Sequence, residues 1–273
     1  MNIRIGHTPD ADDAFMFYAM LNKKIDVEGL SFEDVLEPIT KLNAKAVQSV
    51  YDMTALSVGF LAHVADKYDI LASGACMAEE RGPLLVTRKN AELKNIAVPG
   101  LNTTAYFALK LYNKEVTCHV LPFDRILNHL QQGTIDGGVL ISEDQMRINR
   151  NDVDWVDLGQ WWRDKTGFPL PLGVDGVRSD IPCEVKQTIG RVFKRSIEYA
   201  RDNEREVLQW AIKFARGIDE DNGLAFIKTF VNNFTVDMGD RGRQAIRNFV
   251  DACFNARLIK ERVELTFIGE EER

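Results

Sequence analysis

Short apolar runs alternate along the chain with stretches whose apolar residues recur at helical spacing. The run NIRIGH, residues 2–7, reads as a strand. Residues 12–21 follow as a helix that packs Phe15, Phe17, Met20 and Leu21, with Asp12 or Asp13 as its N-cap. LSFEDVL alternates as a strand does at Leu30, Phe32 and Asp34, and a helix opens near Pro38. A short strand ends at Ser57. A helix is expected over 59–68, and two strands over 68–75 and 82–88. A second group begins near Lys94 and reads strand, helix, strand, helix, strand: 95–100, 102–112, 116–122, 123–133 and 136–142. Asn102 or Thr103 caps its first helix, and Gly133 ends its second. Beyond residues 153–167, the apolar extended run PLPLGVDGV at 169–177 leads into a tail of three or four helices from Pro182 onward.

This order predicts an α/β fold of two lobes, a cleft between them and a helical C-terminal tail. Residues 1–90 with 175–273 form one discontinuous lobe, and 91–174 an inserted second lobe. If the run at 169–177 returns to the first sheet, the chain crosses twice between lobes. Such junctions, and the carboxyl ends of strands, are where α/β folds take ligands. Two crossings also make a hinge. A length of 273 residues fits two domains or one large α/β domain.

Composition narrows the partners. A net charge of -7, with both signs mixed along the chain, argues against nucleic acid, which favours a basic stripe. No apolar run is long enough to span a membrane, and MNIRIGHTPD lacks a signal-peptide core, so a cytoplasmic protein is expected. Cys76, Cys118, Cys183 and Cys253 are far apart and read as reduced, isolated thiols. No dinucleotide fingerprint or P-loop occurs. The oligomeric state is open between monomer and homodimer.

Four stretches carry candidate chemistry. HTPDADDAF ends the first strand with His7 and Thr8 and crowds Asp10, Asp12 and Asp13 before a helix. It is either a ligand-facing loop or plain capping with acids that favour the helix dipole. It lacks the glycine and distal glutamate of a calcium loop, so no metal is expected. PGLNTTAYF sets Thr103 and Thr104 at a helix start, where hydroxyls, free N–H groups and the positive end of the dipole receive a carboxylate or phosphate. Ser57 either donates to a ligand or caps the following helix. GGVLISEDQ ends a strand on Ser142, Glu143 and Asp144. His63, His119 and His129 fall inside element patterns, so His7 alone is a candidate histidine. Trp161 or Trp162 walls a flat ligand or packs a domain interface.

Together, HTPDADDAFMFYAM, KLNAKA, AVPGLNTTA, FDRIL and WW followed by PLPLG resemble the 1,4-dihydroxy-6-naphthoate synthase family of the futalosine route to menaquinone, a relative of chorismate dehydratase. The resemblance runs from the first strand to at least Asp180. It implies a type II periplasmic-binding-protein fold and a cytoplasmic enzyme without metal or organic cofactor. The implied partner is a small aromatic or futalosine-derived carboxylate, and the implied substrate is cyclic dehypoxanthinylfutalosine, cleaved by base-assisted elimination. By motif position Thr8, Asp13, Ser57, Thr103 and Thr104 are the implied substrate contacts, with the substrate carboxylate at the paired threonines. One position departs. Where the family typically reads LIHEGQ, with histidine as the base, this chain reads LISEDQ. An unassisted serine does not take up a proton near neutral pH, whereas imidazole does. Ser142, Glu143 and His7 are therefore the candidates at the catalytic position. A paralogue acting on a related carboxylate and a non-catalytic carboxylate-binding protein are the alternatives.

Overall fold

The computed structural model describes residues 1–79, 81–141, 143–214 and 220–269. Strands β1 (Asn2–His7), β2 (Ser31–Leu36), β3 (Met53–Ser57), β4 (Tyr68–Ile70), β5 (Cys76–Ala78) and β11 (Leu170–Arg178) build the first sheet. Its order is β2-β1-β3-β11-β4, with β5 pairing β11. The second sheet holds β6 (Leu84–Arg88), β7 (Asn95–Val98), β8 (Thr117–Val120), β9 (Gly137–Leu140) and β10 (Val153–Asp157), in the order β10-β6-β9-β7-β8. The first three strands run parallel, and β11 enters between β3 and β4 antiparallel to both. The chain thus crosses between sheets twice, after β5 and before β11. This is the two-sheet α/β architecture with a helical tail that the hydrophobic pattern anticipates.

The helices are α1 (Ala11–Leu21), α2 (Ile39–Ala46), α3 (Thr104–Tyr112), α4 (Phe123–Gln131) and α5 (Leu158–Thr166), then α6 (Cys183–Asp202), α7 (Glu204–Ala211), α8 (Glu220–Phe230), α9 (Asn233–Val236) and α10 (Gly239–Asn255) of the tail. Local chemistry sets several boundaries. Thr103 caps α3, its hydroxyl accepting from the Tyr106 N–H at 3.3 Å. Asp157 caps α5 by accepting from Gly159 and Gln160, and Gly167 ends that helix at φ 77°. Asp10, not Asp12 or Asp13, occupies the N-cap position of α1.

One core is continuous through both sheets: Leu56, Val58 and Val174 pack with Leu85, Ile96, Val98, Phe107 and Trp162. A second lies under α1, where Phe17 stacks on Phe193 of α6 at 4.6 Å. Each of these buried apolar side chains contributes about 1.5–3 kcal/mol. Ser196 of α6 locks this packing by donating to Met16 O at 2.7 Å and accepting from Met20 N at 3.1 Å.

The structure departs from the sequence reading at further places. Leu84–Arg88, assigned by sequence to the first lobe, pairs antiparallel with β9 and β10 and is a central strand of the second sheet. Its apolar residues are covered on both faces, so alternation does not mark its sheet. Membership of the second sheet thus runs from Leu84 to Asp157, rather than over the 91–174 span of the expected lobe. The helix expected over 59–68 is a 3₁₀ segment, Val58–His63, because the chain must enter β4 by Tyr68 and Gly59 lies too close to the Phe107 ring for any side chain. Among the described residues the tail holds five helices, α9 being a single turn. No helix among the described residues is long and apolar enough to cross a membrane.

Candidate functional site

The two crossings leave a cleft of about 850 Å³, counting the solvent at its open mouth, between the carboxyl ends of β1 and β3, the start of α3 and the segment after β9.

On the first wall, β1 ends at His7 and the chain turns into α1. Asp13 reaches back across this turn. Its Oδ2 accepts from the Thr8 N–H at 2.6 Å and from the Thr8 hydroxyl at 2.9 Å. Burial pushes the Asp13 carboxyl upward, opposed by the nearby His7 imidazole and by the Thr8 hydrogen bonds. Thr8 and Asp13 both line the cleft. His7 does not, although the sequence made it a candidate at the catalytic position. The ring is 2% exposed and stacks on Phe17 at 4.5 Å. Its Nδ1 lies 3.0 Å from Thr8 O and must carry a proton, since a carbonyl only accepts. Its Nε2 faces the Asp34 carboxylate at 3.7 Å and holds that acid below the usual carboxylate range. His7 therefore braces the Thr8–Asp13 turn from behind, because a strand end that points into the core cannot also present its side chain to the cleft.

On the second wall, Gly100 approaches Thr40 of α2 so closely that a side chain there would strike it. Thr103 donates to Gly100 O at 2.8 Å while capping α3. The Thr104 hydroxyl accepts from Gly59 N–H at 3.0 Å and donates to Leu172 O at 2.6 Å. Both hydroxyls that the sequence offered to an anion are thus engaged within the protein. Thr103, Thr104 and Ala105 line the cleft there, so the first turn of α3 and the positive end of its dipole lie at the cleft edge. Ser57 is engaged too. Asn43, fully buried, accepts from the Ser57 N–H at 3.0 Å and donates to Ser57 Oγ at 2.9 Å and to Asn102 O at 2.8 Å. Asn102 in turn donates to Thr40 O at 2.9 Å. These bonds tie α2 of the first sheet to the loop before α3 of the second.

The floor comes from residues the sequence reading passed over. Asp175 of β11 and Cys76 of β5 line the cleft. Burial, then the charges of Asp13 and Asp12, push the Asp175 carboxyl well above the usual range. Burial and the same acids, with Asp175, push the Cys76 thiol up, so it stays a neutral thiol. The available signal was a single acid inside the apolar run PLPLGVDGV. Phe226 and Phe230 of α8, with ring centroids 4.8 Å apart, bring the tail to the same cleft, beside Ile141 and Gln145. Ser142 lies outside the described residues, and so does the side chain of Glu143. Asp144, next to them, pairs with Arg147 at 3.0 Å.

Other candidates sit elsewhere. Trp162 is buried edge-on against Phe249 of the tail at 5.2 Å, and Trp161 packs on Tyr112, so the tryptophans pack an interface and do not wall the cleft. His63 stacks on Phe60, while His119 is exposed on the second sheet and His129 is half-buried on α4. The four cysteines are free thiols.

Comparison with known proteins matches residues 3–255 to the family described as "Menaquinone biosynthesis". The 1,4-dihydroxy-6-naphthoate synthase of Thermus thermophilus is 34% identical over 255 residues, covering 92% of this chain and 93% of its own. Among solved structures, protein AF1704 of Archaeoglobus fulgidus is 37% identical, with a TM-score of 0.90 over 94% of this chain and 98% of its own. The periplasmic aliphatic sulphonate-binding protein SsuA of Escherichia coli shares the fold alone. Its identity is 11% and its TM-score 0.64, over 100% of this chain and 95% of its own. The fold is thus of the periplasmic-binding-protein type.

Proposed function

The chain belongs to the menaquinone-biosynthesis family, and from that premise we propose that it acts as a 1,4-dihydroxy-6-naphthoate synthase on a futalosine-derived carboxylate. The substrate we assign is cyclic dehypoxanthinylfutalosine. It is cleaved to the dihydroxynaphthoate by loss of a proton and release of the sugar-derived part, in the cytoplasm.

The observation that carries this reading is the cleft itself. A carboxylate fits at the start of α3, where backbone N–H groups and the helix dipole favour an anion. A flat aromatic body fits against Phe226, Phe230, Met16 and Val174. Thr8 and Asp13 stand on the opposite wall as a preset pair, Thr8 donating through its N–H and its hydroxyl to the Asp13 carboxylate. In such a site the protein contributes mainly position and a proton acceptor. Ser57, Thr103 and Thr104 then act by shaping the walls through their internal hydrogen bonds.

Ser142 at the family's histidine position favours one second reading, a protein that binds the carboxylate without cleaving it. Purified protein incubated with cyclic dehypoxanthinylfutalosine separates the two. Formation of the dihydroxynaphthoate, followed by chromatography, is the expected result. Binding without turnover, with turnover gained on Ser142→His, establishes the binding-only reading. Neither binding nor turnover sinks both.

A further inference from the structure

Among the described residues, those lining the cleft include Asp10, Asp12, Asp13 and Asp175 and no Lys, Arg or His. A cleft that takes a carboxylate cannot hold all these acids ionised without strong repulsion, since close carboxylates in a desolvated site do not both ionise. The surroundings of Asp13 and Asp175 differ in a way that resolves this. Asp13 accepts two hydrogen bonds from Thr8 and has the His7 ring 4.0 Å away, all of which favour its charged form. Asp175 has none of these. It is 2% exposed, and its Oδ1 is buried without a hydrogen-bond partner. Its Oδ2 lies against Gly74, at φ 88°, and the Phe193 ring, where no side chain at position 74 would fit. The groups that face it are Asp12 and Asp13 from α1 and the Cys76 thiol from β5.

A buried carboxyl with an unused oxygen on a ligand cleft needs a partner, and none of the described residues supplies one. We propose that Asp175 stands in the cleft as a neutral carboxylic acid whose O–H donates a hydrogen bond to an oxygen of the bound substrate. Asp13 is the ionised member of the pair. This assignment rests on the functional reading above for the identity of the substrate. It divides the labour between two acids: one accepts and one donates, set apart by hydrogen bonding and burial.

Two variants and one spectrum test it. Binding of cyclic dehypoxanthinylfutalosine and of 1,4-dihydroxy-6-naphthoate is measured by calorimetry from pH 6 upward. Asp175→Ala weakens binding by about tenfold, the loss of one well-placed buried donor. Asp175→Asn, which keeps an N–H donor and cannot ionise, recovers most of that loss. Wild-type affinity falls as the pH rises and Asp175 ionises, whereas affinity of Asp175→Asn stays level. Equal losses in the two variants, or no loss in Asp175→Ala, overturn the inference. A difference infrared spectrum of wild type minus Asp175→Asn at pH 7 reads the group directly. A protonated-carboxyl band is expected, and an ionised-carboxylate band in its place overturns the assignment whatever the ligand. Wild type that binds neither probe sinks the proposed function instead, and the infrared band then decides Asp175 alone. Thermal unfolding of both variants identifies any loss that comes from misfolding.

Discussion

Asp175 couples the site to stability through one proton. Its folded-state carboxyl is raised well above the ordinary range by burial and by Asp13 and Asp12, so the folded protein holds a proton that the unfolded chain gives up. Its favourable contribution is complete below the unfolded carboxylate range and is lost as pH rises toward the raised folded value. Within that window stability falls by up to about 1.4 kcal/mol per pH unit. The unfolding free energy of Asp175→Asn, followed by denaturant titration from pH 4 to pH 8, should therefore fall less steeply than that of wild type. Parallel curves would show that Asp175 ionises alike in both states. Asp13 pulls the same way more weakly, because Thr8 and His7 stabilise its charge. His7 shows what a residue's place in a strand leaves undecided. Its position at the end of β1 was legible, but the side of the sheet it faces depends on Phe17 and Asp34 packed around it.

At the scale of elements, α3 is the part on which the proposed carboxylate site depends. Thr103 holds its first turn through the Tyr106 N–H and fixes the loop through Gly100 O. Thr103→Ala is expected to cost about 1 kcal/mol of stability, with Thr103→Ser restoring most of it, in denaturant unfolding. Ligand affinity should fall in step, because a frayed first turn no longer aims its N–H groups. The capping signals for α3 and the spacing of α1 were readable because they are local. The 3₁₀ segment at Val58–His63 was not, since its apolar spacing suits a helix and the approach of Gly59 to Phe107 is a contact between distant parts of the chain. The strand β5 escaped for a related reason: three residues carry too little periodicity, and β11 alone makes Cys76–Ala78 a strand.

For the whole molecule, the hydrogen bonds of Asn43 and Asn102 join α2 to the loop before α3. They tie the two sheet units together there, and the continuous core joins them as well. Asn102→Ala removes the bond to Thr40 O and should shift the protein toward an open form. A larger radius of gyration by small-angle X-ray scattering, reversed by saturating dihydroxynaphthoate, is the expected outcome. An unchanged radius would assign closure to the core alone. The tail also acts at this scale. It reads from sequence as plain helices, yet α8 lines the cleft with Phe226 and Phe230, and α10 packs Phe249 on Trp162.

The order of elements, the cap of α3, the acid-rich turn after β1 and the resemblance to a menaquinone-route family were all written in the sequence. Each rests on local spacing or on a motif read in order. Tertiary structure alone decided that β6 belongs to the second sheet, that His7 faces the core and that the Thr103, Thr104 and Ser57 hydroxyls are used internally. It also brought an acid from β11 beside the acids of α1. Those outcomes depend on partners distant in sequence, and a side chain's protonation and orientation are set by what is packed against it.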